Sequence, residues 1–234
     1  MPVTDYRTRF LHLALRAEAL RFGEFTLKSG RISPYFFNAG RFDSGAALAE
    51  LAGCYADAVD RAGVGFDLLF GPAYKGIPLA TALACEYAHR GRDLPLAFNR
   101  KEAKTHGEGG SLIGAPLTAR RVLIVDDVIT AGTAIREALG TIREGGGIPA
   151  GIVIALDRQE FAGERGAHSE GEALSAAQPL TAESRIPVSA VAGLDDLLAF
   201  AGESTDLLEQ RERLLAYRAR YGCRTSNHDA PTGG

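Results

Sequence analysis

Cysteine is scarce in this chain, with three residues, Cys54, Cys85 and Cys223, in a length of 234. They are odd in number, far apart and in no zinc-like spacing, which argues against a disulfide framework or a structural metal knot. Cys54 and Cys85 fall in apolar helical patterns, so inert buried thiols are expected. Long apolar runs are missing as well, and none approaches the roughly 18 residues that a membrane span requires. The N-terminal stretch lacks an apolar secretory core and reads instead as an amphipathic helix, with Phe10, Leu13, Ala14, Ala17 and Leu20 on one side. Asp5 and Glu18 speak against a transit peptide, so the expected compartment is cytoplasmic. An excess of either charge is also absent. With 26 Lys and Arg against 29 Asp and Glu, the formal net charge is −3, which gives no support to nonspecific nucleic-acid or membrane-surface binding. Hydrophobic (46%) and charged (24%) fractions are ordinary for a globular chain, and the length suits one α/β domain.

Two common nucleotide signatures are missing too. There is neither G-x-G-x-x-G nor a Walker loop ending in G-K-[ST]. In their place stands RVLIVDDVITAGTA at 121–134. Its short β-branched apolar run, bounded by charge, predicts a strand buried on both faces of a parallel sheet. Asp126 and Asp127 follow at its carboxyl end, where open α/β sheets place their ligands. Thr130, Ala131, Gly132 and Thr133 then form a small-residue loop whose amides and hydroxyls can approach an anion, at the positive end of a helix beginning near Thr133. Carboxylates and phosphate cradle are only a few residues apart. That suits a sugar phosphate, its vicinal hydroxyls held by the acids directly or through water on a divalent cation. The bland alternative is a surface turn with capping Asp and Thr.

Two other segments point to the same sheet edge. In FDLLFGPAYKGIPLA (66–80) a strand ends in a Gly-Pro turn and a helix starts at Lys75 or Gly76, offering a second anion cradle with a lysine beside it. In FNRKEAKTHGEGG (98–110), Arg100, Lys101, Lys104 and His106 precede a Gly-rich stretch. A charge run is often only a solvated loop. Its place after a strand favours a basic lid, with Gly107, Gly109 and Gly110 giving it freedom to close over a polyphosphate. No histidine elsewhere pairs with a Ser or Cys as a nucleophile.

The 121–134 segment resembles the phosphoribosyl-pyrophosphate (PRPP) motif of the type I phosphoribosyltransferases. Together with the two segments above and FGEFTLKSGRISPYFFNAG (22–40), it is similar to the bacterial orotate phosphoribosyltransferase family. The likeness runs from about residue 6 to 221 and is weakest over 161–187. It implies a PRPP site of Lys28, Tyr74, Lys75, Arg100, Lys101, Lys104, His106, Asp126, Asp127, Val128, Ile129, Thr130, Ala131, Gly132, Thr133 and Ala134. Lys101, Lys104, His106, Asp126 and Asp127 would act in the chemistry. Orotate would be met by Phe36, Phe37, Thr130 and Arg158, the last being able to pair a carboxylate through two parallel hydrogen bonds. Strand alternation would bury one of Phe36 and Phe37 and expose the other, so backbone groups there are expected to serve the site. The resemblance also implies Mg²⁺ carried by PRPP with no direct protein ligand, and a homodimer whose lids are shared between subunits.

The resulting expectation is a type I phosphoribosyltransferase fold of the α/β class, a mostly parallel sheet flanked by helices with an N-terminal hood. One domain would cover residues 1–224, the hood lying mainly in 1–66 with C-terminal elements, and 225–234 would be a disordered tail. Expected strands are 24–27, 33–38, 67–70, 95–99, 121–125, 151–156 and 188–191. Expected helices run from Asp43 or Ser44 to about 62, then 76–89, 133–144, 171–183 (interrupted at Pro179), 194–201 and 206–221. The implied reaction is PRPP plus orotate giving orotidine 5′-monophosphate and pyrophosphate, in the biosynthesis of UMP. Two alternatives remain open from sequence: a phosphoribosyltransferase for another base, and a PRPP-binding regulator without catalysis.

Overall fold

The computed structural model describes residues 5–27, 29–100, 112–130, 132–161, 177–203 and 205–223. The chain opens with helix α1 (Tyr6–Arg16), whose face of Phe10, Leu11, Leu13 and Ala14 is buried. It ends at Ala17, so Leu20 begins strand β1 (Leu20–Thr26) and does not continue the helix. β1 pairs antiparallel with β2 (Ile32–Phe37) as a separate two-stranded sheet. Helix α2 (Gly45–Ala62) is capped by Ser44, whose Oγ accepts the Ala47 N–H at 3.2 Å, and stops at Gly63, whose left-handed φ of 65° glycine adopts without a Cβ clash.

Then come β3 (Leu68–Gly71), α3 (Gly76–His89), β4 (Leu96–Asn99), β5 (Leu112–Gly114), β6 (Arg121–Asp126), α4 (Thr133–Glu144), β7 (Ile148–Asp157), α5 (Ala177–Ser184), β8 (Val188–Gly193), α6 (Leu194–Glu203) and α7 (Leu208–Tyr221). The six-stranded sheet has the order β5-β4-β3-β6-β7-β8, and only β5 runs antiparallel to its neighbour. β6 shows how the sheet is held. Leu123 and Val125 face the core shared with α1, α2, α3, α6 and α7, while Val122 and Ile124 face the core shared with α4 and α5. Both faces are apolar because both are covered, as a central parallel strand requires.

Four expectations need correction. β5 was not foreseen as a strand, because three residues are too few to show a period. Pro179 lies within the described helix α5, which runs unbroken from Ala177 to Ser184, so it does not interrupt that helix; residues 171–176 of the expected helix lie outside the described residues. α7 begins at Leu208, after a short 3-10 turn at Thr205–Leu207. Cys85 is exposed, on the side of α3 away from the buried Leu83 and Tyr87.

The β1–β2 hairpin and α7 meet beside the carboxyl end of β7. Glu160 bridges Gly222, the Phe161 N–H donates to the Tyr221 carbonyl at 3.2 Å, and the Cys223 N–H donates to the Gln159 carbonyl at 2.9 Å. The Tyr217 ring of α7 stands edge-on to Tyr35 of β2, with centroids 6.2 Å apart.

Candidate active site

β3 and β6 are hydrogen-bonded neighbours, but the chain leaves β3 toward β4 on one side and leaves β6 toward β7 on the other. Their following loops therefore diverge at a switch point, the place where open α/β sheets leave a crevice. Backbone packing brings the first loop close. A Cβ at Gly71 would sit 2.4 Å from the Gly76 carbonyl oxygen, and one at Gly76 would sit 2.7 Å from the Val125 carbonyl oxygen. Only glycine lets the first turn of α3 seat itself against β3 and β6. Asn99, at the end of β4, accepts the Ala73 N–H at 2.9 Å and ties the same loop to the third strand.

The acid pair closes the other side. Asp126 ends β6, and its carbonyl accepts the hydroxyl of the buried Tyr55 at 2.8 Å. The Asp127 carbonyl accepts the N–H groups of Ala155 (2.9 Å) and Leu156 (3.3 Å) on β7. With both backbones pinned, the Asp127 N–H donates to Asp126 Oδ1 at 2.9 Å, and Lys75 Nζ meets Asp127 Oδ2 at 2.6 Å. Burial, and next the negative charge of Asp127, push the Asp126 carboxyl up to about 7, although the Asp127 N–H and the Lys75 charge pull the other way. Near neutral pH Asp126 is therefore about half protonated, where a free carboxylate would be ionised.

Beyond the acids the loop divides its side chains. Ile129 is buried in one core, so only its backbone can face a ligand, and Val128 is partly buried against the other. Thr130, Thr133 and Ala134 are exposed. Gly132 caps α4 with a φ of 73° and no side-chain cap, leaving the first-turn amides without that competitor. The amino ends of α3 and α4 thus lie at the carboxyl ends of adjacent strands.

A second cluster stands one strand away, past the end of β7. Arg158 Nε donates to Glu160 Oε1 at 3.0 Å, Arg158 Nη2 reaches Ser33 Oγ at 3.4 Å, and the guanidinium carbon lies 4.9 Å from the centre of the Tyr35 ring. Burial pushes the Tyr35 hydroxyl well up, so it stays protonated and donates to Glu160 Oε1 at 3.2 Å. Phe37 is buried against Phe10 and Phe42, while Phe36 is half-buried and packs on Phe25, 5.5 Å between centroids. Neither Phe is fully exposed, so the expected contrast is softened, and the Phe37 ring belongs to the core.

Lys75 and Asp127 are thus brought into contact, with Asp126, Gly132 and Thr130 on the same loop system. Tyr74 is exposed beside Lys75, and Arg100 is half-buried just past β4. Lys28, Lys101, Lys104, His106 and Ala131 lie outside the described residues. Sequence reasoning missed Tyr55, Ser33, Tyr35 and Glu160. Ser33, Pro34 and Tyr35 are all buried, so the hairpin shows no alternation there that could have marked them. Among the described residues no three His, Cys, Asp or Glu side chains gather as a metal cage, and no helix is long and apolar enough to cross a membrane.

The profile of the phosphoribosyl transferase domain family matches residues 42–168. A protein of Xanthomonas oryzae pv. oryzae named orotate phosphoribosyltransferase is 73% identical over 224 residues, covering 96% of this chain and all of that protein. Among solved structures, the orotate phosphoribosyltransferase of Francisella tularensis is 41% identical, with a TM-score of 0.79 over 92% of this chain and 99% of its own. The Mycobacterium tuberculosis orotate phosphoribosyltransferase in complex with PRPP is 25% identical, with a TM-score of 0.60 over 82% of this chain and 98% of its own.

Proposed function

Since this chain belongs to the orotate phosphoribosyltransferases, we propose that the crevice between the loops after β3 and β6 holds PRPP and that the cluster past β7 receives orotate. The enzyme converts PRPP and orotate to orotidine 5′-monophosphate and pyrophosphate, a step of pyrimidine biosynthesis. The observation that carries the assignment of residues is the Lys75–Asp127 contact of 2.6 Å, which joins the two loops at one point.

In the reaction the bond from the anomeric carbon to the pyrophosphate oxygen breaks and a bond to an orotate ring nitrogen forms, that nitrogen giving up its proton to the departing pyrophosphate or to water. Positive charge develops on the ribose ring, and negative charge develops on the leaving group. The work of the protein is then positioning and electrostatics, with no covalent intermediate. The amides at the start of α4, with Thr130 and Thr133, hold the 5′-phosphate. Asp126 and Asp127 hold the ribose hydroxyls, and their negative charge favours the cationic sugar. Lys75, half-exposed, turns from Asp127 toward the pyrophosphate. Arg100, Lys101, Lys104 and His106 are the further cations for it, with Lys28 near the reacting groups, and Tyr74 beside Lys75 joins the same subsite. The segment 101–110 closes as a lid, and the subunits of a homodimer share their lids. Arg158 reads the orotate carboxylate, and the backbones of Phe36 and Phe37 border the base.

The donor chemistry fits Mg²⁺ carried by the substrate, because that ion keeps several waters and takes one or two carboxylates beside phosphate oxygens. Asp126 and Asp127 would meet it through water, and it would neutralise charge on the leaving pyrophosphate. The test is pyrophosphate release from PRPP with orotate, uracil, adenine or hypoxanthine, each with and without Mg²⁺. Release with orotate alone, dependent on Mg²⁺, is expected. Release with another base, or PRPP binding without release, would overturn the reading.

A further inference from the structure

Arg158 has five N–H donors, and they are not all alike here. Its Nε donates to Glu160 Oε1 at 3.0 Å and its Nη2 to Ser33 Oγ at 3.4 Å. No hydrogen bond of Nη1 is formed among the described residues. With the Nε side occupied by Glu160, the Nη1–Nη2 end is the edge that remains for a carboxylate, with Nη1 uncommitted and Nη2 having a second hydrogen beside the one given to Ser33. An arginine on a flexible stem would offer either edge. This one is only 16% exposed and Glu160 only 9%, so the choice is made before any ligand arrives.

Glu160 is itself held on three sides. The Tyr35 hydroxyl donates to it at 3.2 Å, Arg31 Nη1 stands 3.9 Å from its other oxygen, and its backbone bridges Gly222 at the end of α7. The Tyr217 hydroxyl of α7 is buried nearby without a hydrogen bond of ordinary geometry among the described residues. A buried carboxylate so fixed acts as an anvil for the guanidinium.

We propose that Glu160, steadied by Tyr35 and the end of α7, is a positioning residue that selects which edge of Arg158 faces the base, and so sets recognition of the substrate carboxylate without touching it. This rests on the reading that Arg158 binds that carboxylate. The loss of one hydrogen bond to a charged group predicts the size of the effect. Glu160→Gln keeps the shape and an acceptor but removes the charge, and should raise the orotate KM by about threefold to tenfold. Glu160→Ala should raise it by about tenfold or more. In both variants kcat and the PRPP KM should stay within about twofold, because the side chains proposed for the phosphate end come from the loops after β3 and β6 and neither Arg158 nor Glu160 bonds them.

The measurement is steady-state kinetics of both variants, of Arg158→Ala and of Arg158→Ala/Glu160→Ala. Once Arg158 is gone, removing Glu160 should raise the orotate KM no further. If Arg158→Ala leaves the orotate KM unchanged, the base-site reading itself fails. If Arg158→Ala raises it and Glu160→Gln does not, or Glu160→Gln shifts both KM values together, the positioning role fails while the base site stands. Should Glu160→Ala not fold, Glu160→Gln alone decides.

Discussion

The two ends of the site are each built on one ion pair, and the pairs differ. Lys75 is 53% exposed while its partner Asp127 is 9% exposed. Arg158 and Glu160 are both largely buried, at 16% and 9%. Lys75 can leave Asp127 for another anion and stay hydrated on its way, at the small cost of an exposed charge changing partners. Arg158 has no such freedom, because the guanidinium is itself buried and its charge would have to leave its partner without water to replace it. Under the proposed assignment this is a division of labour: one end would exchange partners during turnover, and the other would keep a fixed shape against which a base is chosen.

The largest test of this contrast is Asp127→Ala. It removes the acid from the exchanging end and should lower kcat about a hundredfold to a thousandfold, the scale of one lost transition-state contact. The orotate KM should stay nearly unchanged, and a large rise in it under saturating PRPP would break the contrast.

Asp126 gives the next effect, read in pH. Its carboxyl is raised to about 7 in the fold from an ordinary 3.8, so between those values the folded chain holds a proton that the unfolded chain has released. Stability from this group is fully present below about pH 4 and is lost as pH rises through 7, on the order of 2–4 kcal/mol. Asp126→Asn should flatten that loss in urea unfolding measured from pH 4 to 8. A profile as steep as that of the parent would deny the buried acid its part.

Arg158→Ala probes the fixed end. The orotate KM should rise about tenfold to a hundredfold, with the PRPP KM within twofold. Equal rises would show that the two ends are not separable. The smallest effect should come from Gly140, inside α4 with nothing within 4 Å of a would-be Cβ. Gly140→Ala should stabilise the chain by about 0.5–1 kcal/mol in thermal unfolding and leave both KM values alone. A change in either KM would mean that α4 transmits strain to the cradle at its amino end.

The phosphate end was readable in the sequence because its parts are contiguous. Asp126, Asp127, Thr130 and Gly132 lie within one strand-loop-helix run, and Lys75 stands at a second run of the same form. The base end was not readable in that way. Arg158 entered only through resemblance. Ser33 and Tyr35 come to Arg158 and its neighbour Glu160 from 125 residues away in sequence, a distance no periodicity reports. The glycines of the β3 loop were read as a turn, yet their need is tertiary: Val125 of another strand leaves no room at Gly76. Cys85 was misjudged because α3 is apolar on more than its buried side, so hydrophobic pattern alone did not say which face turns outward.

The bridge between Glu160 and Gly222 has a consequence for the order of assembly. Residues 71–134, which carry the proposed phosphate cradle, leave the ribosome before Tyr217, Tyr221 and Gly222, which brace the proposed seat of the base. On that reading, a nascent chain halted before α7 would own the grip for the sugar donor while the seat for its acceptor still lacked its brace.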